Sequence, residues 1–180
     1  MTLGELEGGR DEVAVRRLRA NDAHLLRAVR LAALADAPDA FGETLEGAGS
    51  ADWGARARDG SSLLDRAVFV ATDGERGVGM VFVKSGAPPE AAFLGGMWVS
   101  PAFRRRGVGR MLVEQGLAFL RSVGQLEVAL WVTRGHADVV DFYRSLGFRL
   151  TGASEPLRHG SQLLVDELRR SLSSQPREVP

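Results

Sequence analysis

The 180-residue sequence predicts a mixed α/β domain. It should hold a mostly antiparallel sheet of six to seven strands, flanking helices and a central βαβ unit. Three observations predict it. Two apolar, β-rich runs, "RAVFVATD" and "GVGMVFVKS", flank the turn sequence "DGERG" and read as a hairpin. A helical period at residues 107–122 leads into "LEVALWVT", an apolar run of the kind that fills a sheet centre. Strand and helix signals alternate through the second half, the order expected of a sheet with helices on its faces.

In chain order, residues 1–12 are polar and Gly-rich, and "SLSSQPREVP" at 171–180 is a polar tail. Both are expected to be flexible, which leaves one domain at 13–170. "EVAVRRLR" alternates as a strand does. Asn21 or Asp22 can cap a helix through "AHLLRAVRLAALAD", with Leu25, Val29 and Ala32 or Ala33 on one face and Pro38 as its stop. "PDAFGETLEGAGSADWGARARDG" reads as loop plus one short helix. After the hairpin and the loop "SGAPPE", "AAFLGGMWVS" is a strand carrying two glycines. The helix at 107–122 places Met111, Leu112, Leu117 and Leu120 at its apolar positions. "ADVVDFYRSL" is a short helix ended by Gly147, and "FRLTG" and "SQLLVDEL" close the set as strands.

Composition bounds the function. Basic and acidic residues balance at 23 each, so no global field favours nucleic acid or a membrane surface. Lys84 is the single lysine among those cations. Absence of cysteine removes disulfides, zinc-thiolate sites and a cysteine nucleophile. Three scattered histidines do not suggest a metal site. No apolar stretch is long enough to span a bilayer, and "MTLGELEGGRDE" lacks a signal-peptide pattern, so a cytoplasmic location is expected.

The densest chemistry is "PAFRRRGVGRML". A glycine turn at the start of a helix lets a phosphate approach unpaired amides that carry partial positive charge. The dinucleotide reading fails because Leu112 stands where the third glycine of G-x-G-x-x-G belongs. Glu127 lies about 20 residues on, near the spacing of a ribose-binding acid, but it begins its strand where such an acid ends one. The P-loop reading fails for want of Gly-Lys-Ser/Thr. Taken alone, the stretch is also readable as an exposed basic turn.

"VSPAFRRRGVGR" resembles the cofactor motif of the GNAT superfamily of N-acetyltransferases, R/Q-x-x-G-x-G/A. Downstream, "RGHADVVDFYRSLGFRLTG" resembles the second signature of that family, N-x-x-A-x-x-F-Y followed by G-F. Element order agrees over residues 13 to 168, and "ALADAPDAFGETLE" is similar to a stretch found in many bacterial members.

The resemblance implies a GNAT-type fold and acetyl-CoA as cosubstrate. Backbone groups of Met97, Trp98 and Val99 would bond the pantetheine arm, in the wedge between two splayed strands. Gly95-Gly96 would be the bulge of that strand, or simply a site of close packing. The pyrophosphate would rest on the amides of Arg105, Arg106, Gly107, Val108, Gly109 and Arg110, with Arg104 and its neighbours as possible side-chain ligands. Tyr143 takes the general-acid position beside Phe142, although both also suit a core. A phenol has a pKa of about 10, just above that of a thiol, which suits protonation of a departing thiolate. His136 replaces the usual asparagine on the cofactor arm; it could instead titrate near neutrality to aid the acceptor, or be an exposed helix-start residue. Val139 replaces a usual alanine. Glu43 and Glu46, in the loop after the first helix, are the candidate bases. Phe41 and Trp53 either wall the acceptor or anchor that loop.

The activity implied is acetyl transfer to a primary amine, on a small molecule or a peptide or protein, by direct attack in a ternary complex. No nucleophile signature supports an acyl-enzyme. The alternative is a non-catalytic acyl-CoA-binding or regulatory module on the same fold. A monomer or a homodimer is expected, without metal, nucleic acid or membrane.

Overall fold

The computed structural model describes residues 13–61, 64–88 and 90–173. Seven strands form one sheet in the order β1-β2-β3-β4-β5-β7-β6. They are β1 Ala14–Arg17, β2 Arg66–Asp73, β3 Arg76–Lys84, β4 Ala92–Val99, β5 Glu127–Thr133, β6 Arg149–Pro156 and β7 Leu164–Ser171. The helices are α1 Ala23–Asp36, α2 Leu45–Gly49, α3 Trp53–Gly60, α4 Val108–Ser122 and α5 Ala137–Ser145. All strand pairs are antiparallel except β4 with β5, which α4 joins as a βαβ unit.

Strand alternation explains why the hairpin runs are apolar throughout. Ala67, Phe69 and Ala71 of β2 face the core under α4, whereas Val68 and Val70 face the core under α1 and α3. With both faces covered, neither parity can be polar. α4 lays Leu112, Val113, Leu117 and Leu120 on the sheet, all at most 1 % exposed.

Four expectations need correction. Asp22 stands at the N-cap of α1, but its carboxylate accepts from Arg19 N at 2.7 Å and Arg16 Nη1 at 2.6 Å, not from a helix amide. On α1 the buried stripe is Leu26, Val29, Ala33 and Leu34; Ala32 is exposed, Leu25 half-buried. Likewise Met111 is 37 % exposed, because it lies beside the buried stripe of α4. The segment after α1 holds a 3-10 turn at Pro38–Ala40 and both α2 and α3, each short helix capped by its own side chain: Thr44 Oγ1 accepts from Gly47 N, and Asp52 Oδ1 from Ala55 N.

The last strands also run further than expected. β6 continues past Gly152, where its register with β7 shifts, and every residue of it is exposed, so no alternation marks it. β7 pairs through Ser171 with Glu127, and Leu172 donates its amide to Leu126 O at 2.7 Å while only 4 % exposed. Backbone pairing at this end therefore runs two residues past 170, to Leu172. The expected flexible stretch at 1–12, and residues 174–180 of the one expected at 171–180, lie outside the described residues.

Candidate active site

The site begins where the sheet stops pairing. β4 and β5 share only two partner positions, Ala92 with Val128 and Phe93 with Ala129. Beyond Phe93 the two strands have no ladder between them. In β4, Gly96 takes φ +59°, and the register with β3 slips so that the two-residue step from Met80 to Phe82 on β3 faces a three-residue step from Trp98 to Gly95 on β4. That is a β-bulge at the expected glycine pair, and a positive φ is what glycine permits there. Ser100 N bonds Val78 O on β3 at 2.8 Å. By alternation from Ser100 the peptide groups of Val99 and Met97 turn away from β3; the Val99 carbonyl there accepts from Arg104 Nε at 2.9 Å, so on Val99 it is the amide that faces the gap. Trp98, expected among them, instead turns its backbone to β3 and its buried indole to Asp36 Oδ2 at 2.9 Å.

At the end of β4 a 3-10 turn, Pro101–Phe103, leads into the arginines. Arg105 has φ +59° and Gly107 φ +84°, two left-handed residues that turn the chain into α4. Gly107 is the N-cap, and the first intrahelical bond is Met111 N to Gly107 O at 3.1 Å. The amides of Val108, Gly109 and Arg110 precede that bond, and no acidic side chain lies in the first turn. The result is an uncovered helix N-terminus with partial positive charge, the geometry that binds phosphate.

The three arginines are not equivalent. Arg104 is committed to structure: Nε donates to Val99 O at 2.9 Å and Nη2 donates to Asp36 Oδ2. Asp36 thereby clamps the end of α1, the end of β4 and the loop. Arg106 stacks over Phe103, and Arg110 stands 3.6 Å from Glu114. Gly109 marks where three elements converge. A Cβ there would lie 2.8 Å from Met97 Cε and 3.4 Å from Phe142 Cζ.

Tyr143 is 6 % exposed, set edge-on against Phe142 and Phe148 with centroids 5.0 and 5.6 Å away. Burial pushes its phenol above its ordinary value, so the group stays protonated at neutral pH. His136 is the exposed N-cap of α5, and its side chain makes no cap hydrogen bond.

On the other side of β4 a cleft of about 550 Å³ opens onto Gly95 and Gly96. Phe41, Phe82, Trp53 and Trp131 supply aromatic wall; Arg30, Arg56, Glu43 and Glu155 supply charge. Glu43 accepts from Arg30 Nε at 3.0 Å and from Arg56 Nη2 at 2.7 Å. Burial pushes its carboxyl up, but the hydrogen bonds from Arg56 and Arg30 outweigh that and hold it below the ordinary range. A carboxylate held this way is a poor proton acceptor. Glu46 is exposed in the first turn of α2 and does not line the cleft. Phe41 and Trp53 are at once cleft wall and buried anchors, 5 % and 9 % exposed. The sequence had not singled out Arg30, Arg56, Trp131 or Glu155; the one available signal was an arginine, Arg30, one residue after the buried Val29.

Residues 31–148 match the model of the acetyltransferase (GNAT) family, which is more than half of the chain. The chain belongs to this family. The mycothiol acetyltransferase of Corynebacterium glutamicum is 36% identical over 94 residues, 52% of this chain and 32% of that protein. The N-acetyltransferase MJ1207 of Methanocaldococcus jannaschii is 34% identical over 59 residues, 33% of this chain and 26% of that protein. The matched region is thus about a third or less of these curated relatives. The yncA structure from Salmonella typhimurium, solved with its cofactor acetyl-CoA, superposes with TM-score 0.73 at 18% identity, over 94% of this chain and 98% of that one. The paiA N-acetyltransferase of Thermoplasma acidophilum, in complex with coenzyme A, gives 0.63 at 19% identity over 89% and 99%. At these identities the likeness is one of fold: a mostly antiparallel seven-stranded sheet with flanking helices. No helix among the described residues is long and apolar enough to cross a membrane, and they hold no cluster of metal-binding side chains.

Proposed function

We propose that this chain is an acetyl-CoA-dependent N-acetyltransferase acting on a primary amine by direct attack in a ternary complex. The observation that carries this reading is the unpaired β4–β5 gap ending on the uncovered amides of α4. A strand-like pantetheine arm would add to the Met97 peptide group and the Val99 amide, as a peptide adds to a sheet edge. Its pyrophosphate would reach the amides from Arg105 to Arg110, with Arg105, Arg106 and Arg110 near enough in sequence to assist. Arg104 holds the loop instead of a phosphate.

Acetyl-CoA supplies a thioester: the amine nitrogen attacks its carbonyl carbon, the C–N bond forms and the C–S bond breaks. The amine gives up one proton and the departing thiolate takes one. Tyr143 is our donor to the sulfur, since its raised pKa keeps a proton ready. Glu43, clamped by two arginines, is a poor base on this structure, and Glu46 lies off the cleft. The ion-paired Glu43 also favours a second reading, a non-catalytic acyl-CoA-binding module. We assign the chain to the cytoplasm, with an acceptor that is a small molecule or a peptide or protein amine.

Calorimetry and thiol release test both readings. Acetyl-CoA at about 100 times its Kd should add roughly 2.7 kcal/mol of stability. No binding would overturn both readings, and binding without thiol release across a broad amine panel would leave only the module. Tyr143→Phe should lower kcat while leaving acetyl-CoA affinity near wild type. Unchanged turnover would remove Tyr143 from catalysis.

A further inference from the structure

We propose that the acceptor amine also carries a carboxylate, held in the cleft by Arg30. The inference rests on the acetyl-transfer reading above and concerns which amine that reaction accepts.

Arg30 is unusual for its place. It follows the buried Val29 on α1, and its side chain is only 14 % exposed. An arginine buried to that extent costs free energy unless its donors and its charge are matched. They are not fully matched. Nε donates to Glu43, and it is the one nitrogen of Arg30 with a hydrogen bond among the described residues. Nη1 is buried without an acceptor, and a Cβ on Gly96 would lie 3.6 Å from it, which sets it beside the bulge. A second buried donor in the same lining, Trp53 Nε1, also lacks an acceptor, and Trp53 is 9 % exposed.

Charge points the same way. Glu43 is shared between Arg30 and Arg56, so one carboxylate answers two guanidiniums. Asp59, which also lines the cleft, is taken up by Arg66 at 2.8 Å. Within the Arg30–Glu43–Arg56 set two guanidiniums therefore share one carboxylate, next to donors in want of an oxygen, and Glu155, the remaining carboxylate of the lining, makes no ion pair with either of them. A carboxylate supplies both: one negative charge and two acceptor oxygens in the geometry a guanidinium fits. A polyamine or another polycation would bring like charge to this set. Phe41, Phe82, Phe93 and Trp131 in the same lining suit an apolar body between the ammonium and carboxylate ends. The class described is an α-amino acid, or a close analogue, with an apolar side chain.

The test compares leucine, methionine and phenylalanine, each as the free acid, the C-terminal amide and the decarboxylated amine. Thiol release from acetyl-CoA by the purified chain is followed. The free acids should exceed their amides in kcat/KM by roughly ten-fold or more, the worth of one hydrogen bond to a charged group. The amide has the less basic, more readily deprotonated amine, so a preference for the acid cannot come from amine reactivity. In Arg30→Gln the acid-to-amide ratio should fall towards one, with acetyl-CoA affinity by calorimetry kept. Should that variant not fold, Arg56→Gln should lower the ratio in the same direction, and the ratio on the unaltered chain decides by itself. Amides or simple amines turned over as well as acids would overturn the carboxylate and leave acetyl transfer standing. Thiol release from none of these amines, but from another of the broad panel, would overturn the carboxylate alone, and release from no amine of either set would overturn both.

Discussion

The two sides of β4 are built from different materials. On the side facing α4, the features that would hold a donor are backbone: the Met97 peptide group, the Val99 amide, the amides before the first bond of α4, and the left-handed Gly107. On the side facing α1, the cleft is made of side chains from α1, α3, the strands and the loop after α1. A backbone device depends on where the chain may turn, which a few glycines in a short motif encode. A side-chain device depends on which residues the fold brings together. The first should fail through conformation, the second through charge.

Gly107→Val probes the backbone side and should have the largest effect. At φ +84° nothing crowds a Cβ, since no atom lies within 4 Å of it, so the penalty is conformational. A β-branched residue in the left-handed region should cost about 2 kcal/mol in urea unfolding. Acetyl-CoA affinity should drop at least ten-fold, with no change in which acceptors are preferred.

Asp36→Ala comes next. It removes the acceptor shared by the Trp98 indole and the Arg104 guanidinium, and it strands a buried N–H. A loss of about 1–2 kcal/mol is expected. Because Asp36 ties the arginine loop to α1, acetyl-CoA affinity should weaken while the acceptor KM holds. A change in the acceptor KM alone would mean that Asp36 belongs to the cleft and not to the loop.

Glu43→Gln probes the charge side. Its carboxyl is held below the ordinary glutamate range when folded, so its ion pairs contribute above the unfolded pKa. That contribution is lost as pH falls through the lower folded value. At neutral pH the variant should be less stable by about 1 kcal/mol. The gap should close on acidification, because only the parent loses stability there. Acetyl-CoA affinity should not respond.

The same contrast explains what the sequence revealed. The hairpin, β5, α4 and α5 were legible because burial on both faces or on one stripe leaves a period in the residues themselves. The glycine turn into α4 was legible through Gly107 and Gly109, and the tyrosine segment downstream gave it a reading. β6 was only partly legible: all eight of its residues are exposed, and Gly152 breaks its register, so no alternation marks its length. Only one short helix was legible where α2 and α3 stand, because α2, "LEGAG", is five residues with two glycines and no apolar period. Arg104 read as a phosphate ligand because a motif gives adjacency only. Its partner, Asp36, lies 68 residues away. Arg30 was hidden for the same reason. An arginine on a helix is ordinarily a solvated side chain, and only packing against Phe41 and Glu43 makes this one buried.

His136→Asn should have the smallest effect, and it tests a departure from the family pattern. His136 sits at the N-cap of α5 with no side-chain cap bond, and it is exposed. Asparagine at that position can accept from an orphan amide of the first turn, which histidine does not do here. A gain of about 0.5 kcal/mol in urea unfolding is therefore expected. If His136 acts mainly as a helix start, acetyl-CoA affinity should move by less than about three-fold, since 0.5 kcal/mol corresponds to little more than a factor of two. A larger rise in affinity would mean that the side chain at this position reaches the pantetheine arm. The donor side would then depend on a side chain as well as on backbone, and the contrast between the two faces of β4 would narrow at its C-terminal end.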